Sequence, residues 1–192
     1  MIVNIIDTEY LSLSKSHSIE KLRLNKDKLF PEIIQIGRIK YDLKLNKIIK
    51  KNNYFFFPVQ KIPKRITSLT NLNENIFKIK KTSKNKILDI LNDIKQNEII
   101  CSNGDDLQII KLNFTYYKLK KKGRRYNFLN LRKVFNNKNT STIQKNLKTS
   151  TKRLKHDALE DCKTLLIALK IAKKKNNKLK YVIEKNLQKI LI

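Results

Sequence analysis

Acidic side chains are scarce in this chain and unevenly distributed. Only 16 of its 192 residues are Asp or Glu, and seven of the 16 fall in three short segments: Asp7 and Glu9; Asp105 and Asp106; Asp157, Glu160 and Asp161. Carboxylates held close together repel one another and raise one another's pKa, so a compact group indicates a bound cation or a catalytic task. Taken singly, each segment could instead cap a helix or lie in a turn.

Four of these carboxylates and one histidine could together hydrolyse a phosphodiester. The four oxygen ligands would be Asp7, Glu9, Asp161 and either Asp105 or Asp106. Mg²⁺ and Mn²⁺ prefer such ligands, and two ions roughly 4 Å apart can hold the attacking and leaving oxygens in line. His156 precedes Asp161 by five residues and could be the general base that deprotonates the attacking water, because imidazole titrates near neutral pH. The alternative is that His156 only caps a helix.

Three predicted elements would position these groups. The β-branched run from Ile2 to Ile6 predicts a buried central strand, with Asp7 and Glu9 on one face at its carboxyl end. A short apolar strand at 98–101 leads into the segment with Asp105 and Asp106. Apolar residues at helical spacing from Ala158 to Ala172 predict the helix that carries Asp161.

The rest of the chain predicts a mixed α/β domain, with strands first and helices interleaved after them. A polar loop at 12–30, which contains His17 as a surface residue, separates the first strand from the second. The further predicted elements are a strand at 31–42, a turn at 43–51, a strand at 54–59, helices at 66–69 and 87–94, a helix after Leu107, a strand with its flank at 126–134, a loop with one weak helix at 136–151, and a helix at 181–192.

Charge and composition narrow the class of partner. Lys and Arg number 44, and the net charge of +28 suits nucleic acid or an anionic membrane surface. Only seven of the 44 are Arg, and Lys, Asn and Ile dominate as in the product of an AT-rich genome, so the charge alone is weak support. Cys101 and Cys162 are expected in the core. With no signal peptide and no apolar stretch of about 20 residues, we expect a cytoplasmic, soluble protein with no membrane partner.

Five segments, in order, resemble the DEDDh branch of the DnaQ-like exonucleases. They are Ile5-Ile6-Asp7-Thr8-Glu9, Pro31-Glu32-Ile33-Ile34-Gln35-Ile36-Gly37, Leu69-Thr70-Asn71-Leu72, Ser102-Asn103-Gly104-Asp105-Asp106-Leu107 and His156-Asp157-Ala158-Leu159-Glu160-Asp161. The last is the most specific. The resemblance implies a ribonuclease H-like mixed central sheet flanked by helices, and two Mg²⁺ or Mn²⁺ ions. It also implies release of nucleoside 5′-monophosphates, one at a time, from the 3′ end of single-stranded DNA or RNA.

The same resemblance assigns roles to individual residues. The metal ligands would be Asp7, Glu9, Asp106 and Asp161, with Asp105 as the alternative to Asp106, and His156 would be the general base. Asp106 is preferred because the family's aspartate leads directly into a helix. The exonuclease domain would span 1–175, with 176–192 as a helical extension of the same domain.

The chain departs from the family's pattern after its first motif. Many members have Thr-Thr-Gly where this chain has Tyr10-Leu11-Ser12. Thr8, Tyr10 and Leu11 are expected to contact the terminal nucleotide, with Tyr10 and Leu11 stacking on or wedging its base; plain packing is the alternative.

Two other proteins could share this sequence pattern. One is a nucleic-acid-binding or inhibitory protein that retains the fold without significant turnover. The other is a small basic structural or ribosome-associated protein. The basic segment Lys118–Arg125 could bind a strand's backbone or could be a solvated loop.

Overall fold

The computed structural model describes residues 1–11, 30–79, 82–119, 123–147, 156–175 and 179–191. Within these ranges the strands form one six-stranded sheet in the order β3-β2-β1-β4-β5-β6. The strands are β1 (Ile2–Tyr10), β2 (Ile33–Asp42), β3 (Lys47–Phe55), β4 (Ile99–Ser102), β5 (Arg125–Asn130) and β6 (Gln188–Leu191). Most of the predicted polar loop at 12–30, with His17, lies outside the described residues, as do 120–122 of the basic segment and 148–151 of the predicted loop.

Helices flank the sheet. They are α1 (Lys64–Thr70), α2 (Glu74–Ile79), α3 (Lys86–Asn92), α4 (Asp106–Tyr116), α5 (Leu131–Val134), α6 (Thr140–Leu147), α7 (Ala158–Lys175) and α8 (Leu179–Asn186). None of the helices in the described ranges is both long enough and apolar enough to cross a membrane.

The central strand β1 is paired on both sides. It runs antiparallel to β2, with Asp7 opposite Gly37, and parallel to β4, with Ile5 opposite Cys101. Because β1 and β4 are parallel, their carboxyl ends lie at the same edge of the sheet. The segment that follows β4 therefore lies beside Asp7 and Glu9.

Each face of the sheet has its own apolar core. Val3 and Ile5 of β1 pack under α7 with residues such as Leu165, whereas Ile6 faces the opposite side, under α3 and α4. A third, smaller cluster holds α1 and α2 against the end of the sheet; it contains Leu11, Ile34, Phe55, Ile66, Leu72 and Phe77. The alternation along β1 places Asp7 and Glu9 on the α7 side.

The third strand is not where the sequence predicted it. β3 covers Lys47–Phe55, and the turn before it is confined to 43–46, so the predicted turn at 43–51 and strand at 54–59 are wrong. The aromatic residues that suggested this strand lie at the end of β3 and in the chain that follows it. Phe55 and Phe56 are buried there. Residues 47–51 are exposed on both faces and have no alternating apolar pattern; backbone pairing with β2 alone makes them a strand.

The carboxyl terminus also differs from the prediction. The helix predicted at 181–192 ends at Asn186 as α8, and Gln188–Leu191 forms β6, antiparallel to β5. The short strand with its flank predicted at 126–134 corresponds to β5 followed by the short helix α5. In both places a strand of four to six residues carries too few side chains to show a period of two.

Candidate active site

Three carboxylates meet on the face of the sheet that α7 covers. Asp7 and Glu9 come from the end of β1, and Asp161 comes from the first turn of α7. One ligand oxygen from each lies within 4.8 Å of the others. Asp161 is buried, and the side chain of Glu9 is only 13% exposed. Such a set of hard oxygen ligands could hold a divalent metal ion.

Gly37 allows α7 to come this close to the sheet. It lies opposite Asp7 on β2. A Cβ atom added there would stand 2.3 Å from the carbonyl carbon and oxygen of Ala158 and 2.5 Å from the amide nitrogen of Leu159. These are backbone atoms, so no side-chain rotation could relieve the contact. A residue without a side chain is needed where the helix backbone rests on the strand.

The amino terminus of α7 is fixed by two polar side chains. Asp157 caps the helix, its Oδ1 accepting hydrogen bonds from the amides of Leu159 (2.9 Å) and Glu160 (3.1 Å). Gln35 of β2, fully buried, donates from Nε2 to Asp157 Oδ2 (3.2 Å) and accepts from the amide of Ala158 (3.3 Å). Strand β2 thus sets the position of the turn that carries Asp161.

His156 immediately precedes this cap and lies at the rim of the carboxylate group. Its Nδ1 is 4.0 Å from Glu9 Oε1, and its side chain is 48% exposed. Its backbone is left-handed, with φ of 52°, which turns the chain into the helix. The cap itself is made by Asp157, so the alternative in which His156 serves only as the cap has no support here.

Asp106 reaches the site from the other side of β1. It is the first residue of α4, as predicted, and its Oδ1 accepts hydrogen bonds from both the amide and the hydroxyl of Thr8, each at 2.8 Å. Burial raises the pKa of the Asp106 carboxyl, and the two hydrogen bonds from Thr8 oppose that rise. Asp106 lies outside the group of three whose ligand atoms converge, and Thr8 links it to them.

Cys162 follows Asp161 on α7 and is buried against β1, where its thiol donates to the carbonyl of Ile5 (3.5 Å). Burial raises the pKa of its thiol well above the ordinary value, and the negative charges of Asp7, Asp106 and Asp161 raise it further. Asp105, by contrast, lines a separate cleft.

The carboxylates open into a cleft of about 380 Å³. The cleft is also lined by Arg65 at the start of α1 and Arg132 on α5, together with polar groups such as Asn103 and Thr140. The same cleft therefore holds carboxylates suited to cations and two guanidinium groups suited to phosphates.

The three residues predicted to contact the terminal nucleotide lie in different surroundings. Thr8 and Tyr10 line the cleft, although the hydroxyl of Thr8 is bonded to Asp106. Burial, followed by the nearby carboxylates, raises the pKa of Tyr10 to about 12, so its phenol is neutral at physiological pH. Leu11 is fully buried in the third apolar cluster. Its side chain packs in the core and does not reach the cleft, which is the packing alternative stated above.

Several residues that shape the site were not singled out from the sequence. Gln35 and Gly37 belong to a segment that was recognised as a motif, but no role had been assigned to them. A glycine inside a strand signals close approach of another backbone, and could have been noticed. Arg65 and Arg132 carry a weaker signal: they are two of only seven arginines in a chain rich in lysine.

Comparison with protein families decides the relationship. Residues 5–169 match the family RNase_T, described as Exonuclease. The chain belongs to this exonuclease family. The match includes Asp7, Glu9, Asp106, His156 and Asp161. The predicted resemblance to DEDDh-type, DnaQ-like exonucleases is confirmed at this level. No curated protein matches the exonuclease chain by sequence.

Solved structures show the same fold at low sequence identity. The nuclease domain of 3′hExo, a DEDDh family member solved with rAMP, is 16% identical with a TM-score of 0.70, covering 90% of this chain and 92% of that one. Cell-death related nuclease 4 (CRN-4) is 18% identical with a TM-score of 0.69, covering 91% and 64%. E. coli Exonuclease I in complex with a dA16 oligonucleotide is 10% identical with a TM-score of 0.67, covering 96% and 42%.

These likenesses establish the ribonuclease H-like fold that the sequence predicted. The present chain spans 64% of the length of CRN-4 and less than half of Exonuclease I, so activities of those whole proteins are not carried over. Family membership supports nuclease chemistry, and the carboxylates of Asp7, Glu9 and Asp161 could bind the divalent metal that such chemistry uses.

Proposed function

We propose that the chain is a 3′–5′ exonuclease. It would hydrolyse the last phosphodiester of single-stranded DNA or RNA and release nucleoside 5′-monophosphates. The observation that carries the proposal is the convergence of Asp7, Glu9 and Asp161 within 4.8 Å, with His156 at their rim, in a family of exonucleases. The 3′hExo domain solved with rAMP and Exonuclease I solved with a single-stranded oligonucleotide support the same substrate class.

The proposed reaction would use two divalent cations, Mg²⁺ or Mn²⁺. Asp7, Glu9 and Asp161 would hold one ion among three carboxylate oxygens, and Asp106 with Asp7 would help to hold the second, across β1. When bound, the ions supply charge neutralisation at the reacting phosphate and at the leaving oxygen. Asp106 can serve this role because one of its oxygens is held by Thr8, which fixes the direction of the other.

His156 would take the proton of the attacking water. A bond forms between the water oxygen and the phosphorus, and the bond between phosphorus and the 3′ oxygen of the preceding nucleotide breaks. The leaving oxygen takes up a proton from solvent to give a new 3′ hydroxyl. The imidazole is about half exposed, so the proton it gains can pass to solvent before the next turnover. The residue that follows it, Asp157, is held by its capping bond to α7 and by Gln35.

Arg65 and Arg132, which line the same cleft as the carboxylates, would bind phosphate oxygens. Arginine suits this task because its planar guanidinium can donate two parallel hydrogen bonds to a phosphate. Tyr10, which lines the same cleft, is neutral and half-buried, and could stack on the terminal base.

The direct test is digestion of matched DNA and RNA oligonucleotides labelled at the 5′ or the 3′ end, with Mg²⁺ and with EDTA. A 3′–5′ exonuclease gives a ladder of shortened 5′-labelled products, whereas the 3′ label appears at once as a mononucleotide. Loss of both with EDTA supports metal dependence. Internal cleavage, or full activity in excess EDTA, would contradict the proposal, and tight binding without turnover would identify the chain as an inhibitory protein of the same fold.

Substitution of His156 tests the general base separately from the metal site. His156→Asn is the better variant, because asparagine tolerates the left-handed backbone at this position whereas alanine does so poorly. Loss of a positioned base should lower turnover about 10²–10⁴-fold, while Mg²⁺ affinity changes little. A fully active His156→Asn protein would remove the general-base role and with it the DEDDh assignment.

A further inference from the structure

A second cleft lies beside the first, between α4 and the edge of the sheet formed by β5 and β6. Its volume is about 560 Å³. Its lining includes the apolar residues Leu112, Phe128 and Ile190 and two lysines, Lys111 and Lys133. The proposed reaction has no use for this cleft, because the carboxylates Asp7, Glu9 and Asp161 all lie in the other one.

Only a thin ridge separates the two clefts. Asn103 lines the active-site cleft, and its neighbour Gly104 lines the second cleft. Likewise, Arg132 lines the active-site cleft, and its neighbour Lys133 lines the second. The Arg132 side chain crosses the ridge: its Nε donates to the carbonyl of Asn103 (3.1 Å), and its Nη2 lies 3.4 Å from the position of a Cβ on Gly104. A strand that leaves the active site on this side therefore meets Arg132 first and Lys133 next.

The charge of the second cleft suits a polyanion. Lys111 and Lys133 are exposed, and neither forms an ion pair with any carboxylate in the described part of the chain, whereas Lys40, Lys84 and Lys163 do. One carboxylate, Asp105, lines the cleft at the ridge. The two ammonium groups outnumber this carboxylate, so the charged residues of the lining sum to a net positive charge.

The polar side chains of the second cleft suit nucleotides rather than inorganic anions. Gln108 and Gln188 line it and are exposed, and their amides can donate to and accept from base edges or sugar hydroxyls; the Asn130 amide is already bonded to Gly104 and Arg132. The apolar lining residues offer a surface for bases, and a positive groove with apolar contacts is the usual way of binding a single strand without sequence preference.

We propose that the second cleft binds the internal nucleotides of the substrate strand, on the 5′ side of the bond that is cleaved. This inference rests on the proposed exonuclease function for the direction of the strand, but it concerns binding and can be measured without turnover. Its consequence is that affinity increases with the length of the strand, because a short substrate fills the first cleft alone.

The test compares binding of a trinucleotide and of an oligonucleotide of about 12 residues, within the roughly 4–16 nucleotides that one single-strand groove covers. Fluorescence anisotropy with Ca²⁺ in place of Mg²⁺ would give the dissociation constants. The ratio measured is the dissociation constant of the trinucleotide divided by that of the longer strand. This ratio is expected to fall about tenfold in the double variant Lys111→Gln/Lys133→Gln, because the variant removes two exposed charge contacts. For the longer strand, the slope of log affinity against log salt should become shallower by about 1.4, or about 0.7 for each phosphate contact.

A matched control removes the same charge elsewhere. Lys47→Gln/Lys51→Gln alters two exposed lysines of β3, at the opposite edge of the sheet, and should leave the ratio and the slope unchanged. Equal losses in both double variants would mean that net charge alone sets affinity, and would overturn the proposal. A wild-type ratio in Lys111→Gln/Lys133→Gln would also overturn the proposal and would indicate that the second cleft binds a protein partner instead. Failure of the exonuclease proposal would appear instead as absent turnover with the length dependence intact.

Discussion

Replacing Gly37 by alanine should move Asp161 on α7 away from Asp7 and Glu9 on β1. Gly37 has an ordinary negative φ, so alanine introduces no backbone strain on β2. The added Cβ would lie 2.3 Å from two backbone atoms of Ala158, compared with about 3.4 Å or more in ordinary contact. Relief requires α7 and β2 to move apart, and α7 carries Asp161 and begins two residues after His156.

The size of the effect follows from that distance. The helix must retreat by about 1.1 Å or more to restore an ordinary contact, and Asp7 and Glu9 on β1 do not move with it. A misplacement of about 1 Å can cost roughly 10²-fold in rate. Overpacking of this kind typically costs about 1–3 kcal/mol of stability. We therefore expect kcat/KM to fall about 10²-fold in a protein that still folds.

Steady-state hydrolysis of one 5′-labelled oligonucleotide, together with urea unfolding, would measure both effects. Gly123→Ala is the matched control: the nearest atom to its added Cβ is the flexible Leu191 Cδ1 at 3.3 Å, so stability should change by less than about 0.5 kcal/mol. A folded Gly37→Ala protein with near-wild-type activity would refute the argument that this glycine sets the distance between α7 and β1.

Three other substitutions address the remaining contacts. Asp7→Ala should abolish turnover in the labelled-oligonucleotide assay while circular dichroism shows an unchanged fold, because it removes a ligand shared by the proposed metal sites; a near-wild-type rate would contradict that role. Thr8→Val removes one hydrogen bond to the Asp106 carboxylate and should lower kcat about tenfold with little change in KM, and Thr8→Ser should restore the rate. Burial opposes ionisation of Glu32, but hydrogen bonds led by that from Tyr117 outweigh it and hold the pKa below its ordinary value near 4.5. Ionised Glu32 therefore stabilises the fold fully above that value, and this stabilisation is lost as pH falls through the folded-state pKa. In urea unfolding from neutral to acidic pH, the free energy of unfolding should decrease less for Glu32→Gln than for the wild type.

The sequence by itself determined the parts of the fold that depend on local patterns. The apolar run before Asp7 predicted the central strand, and the helical stripe from Ala158 to Ala172 predicted α7, because burial of a strand or of one helix face is recorded directly in the side chains. The order of the acidic motifs indicated the exonuclease family before any geometry was known. These motifs are specific because the chemistry permits few other residue types.

Edge strands and close contacts were decided only by the tertiary structure. β3 is exposed on both faces along its first half, and β6 is four residues long, so pairing through backbone hydrogen bonds defines them and side-chain pattern does not. Leu11 lies two residues after Glu9 in the sequence. The pairing of β1 with β2 shifts register after Glu9, and Leu11 beyond this shift is buried in the core.

The arrangement of the site itself required the packing of distant segments. The attachment of the α7 amino terminus to Gln35 and its contact with Gly37 join residues more than 100 positions apart. The sequence determined which groups could perform the chemistry, because residue type fixes what a side chain can bind or protonate. The distances among those groups, and the second cleft beside them, were decided by how α7, α4 and α5 pack on one sheet, since each position depends on contacts from several elements at once.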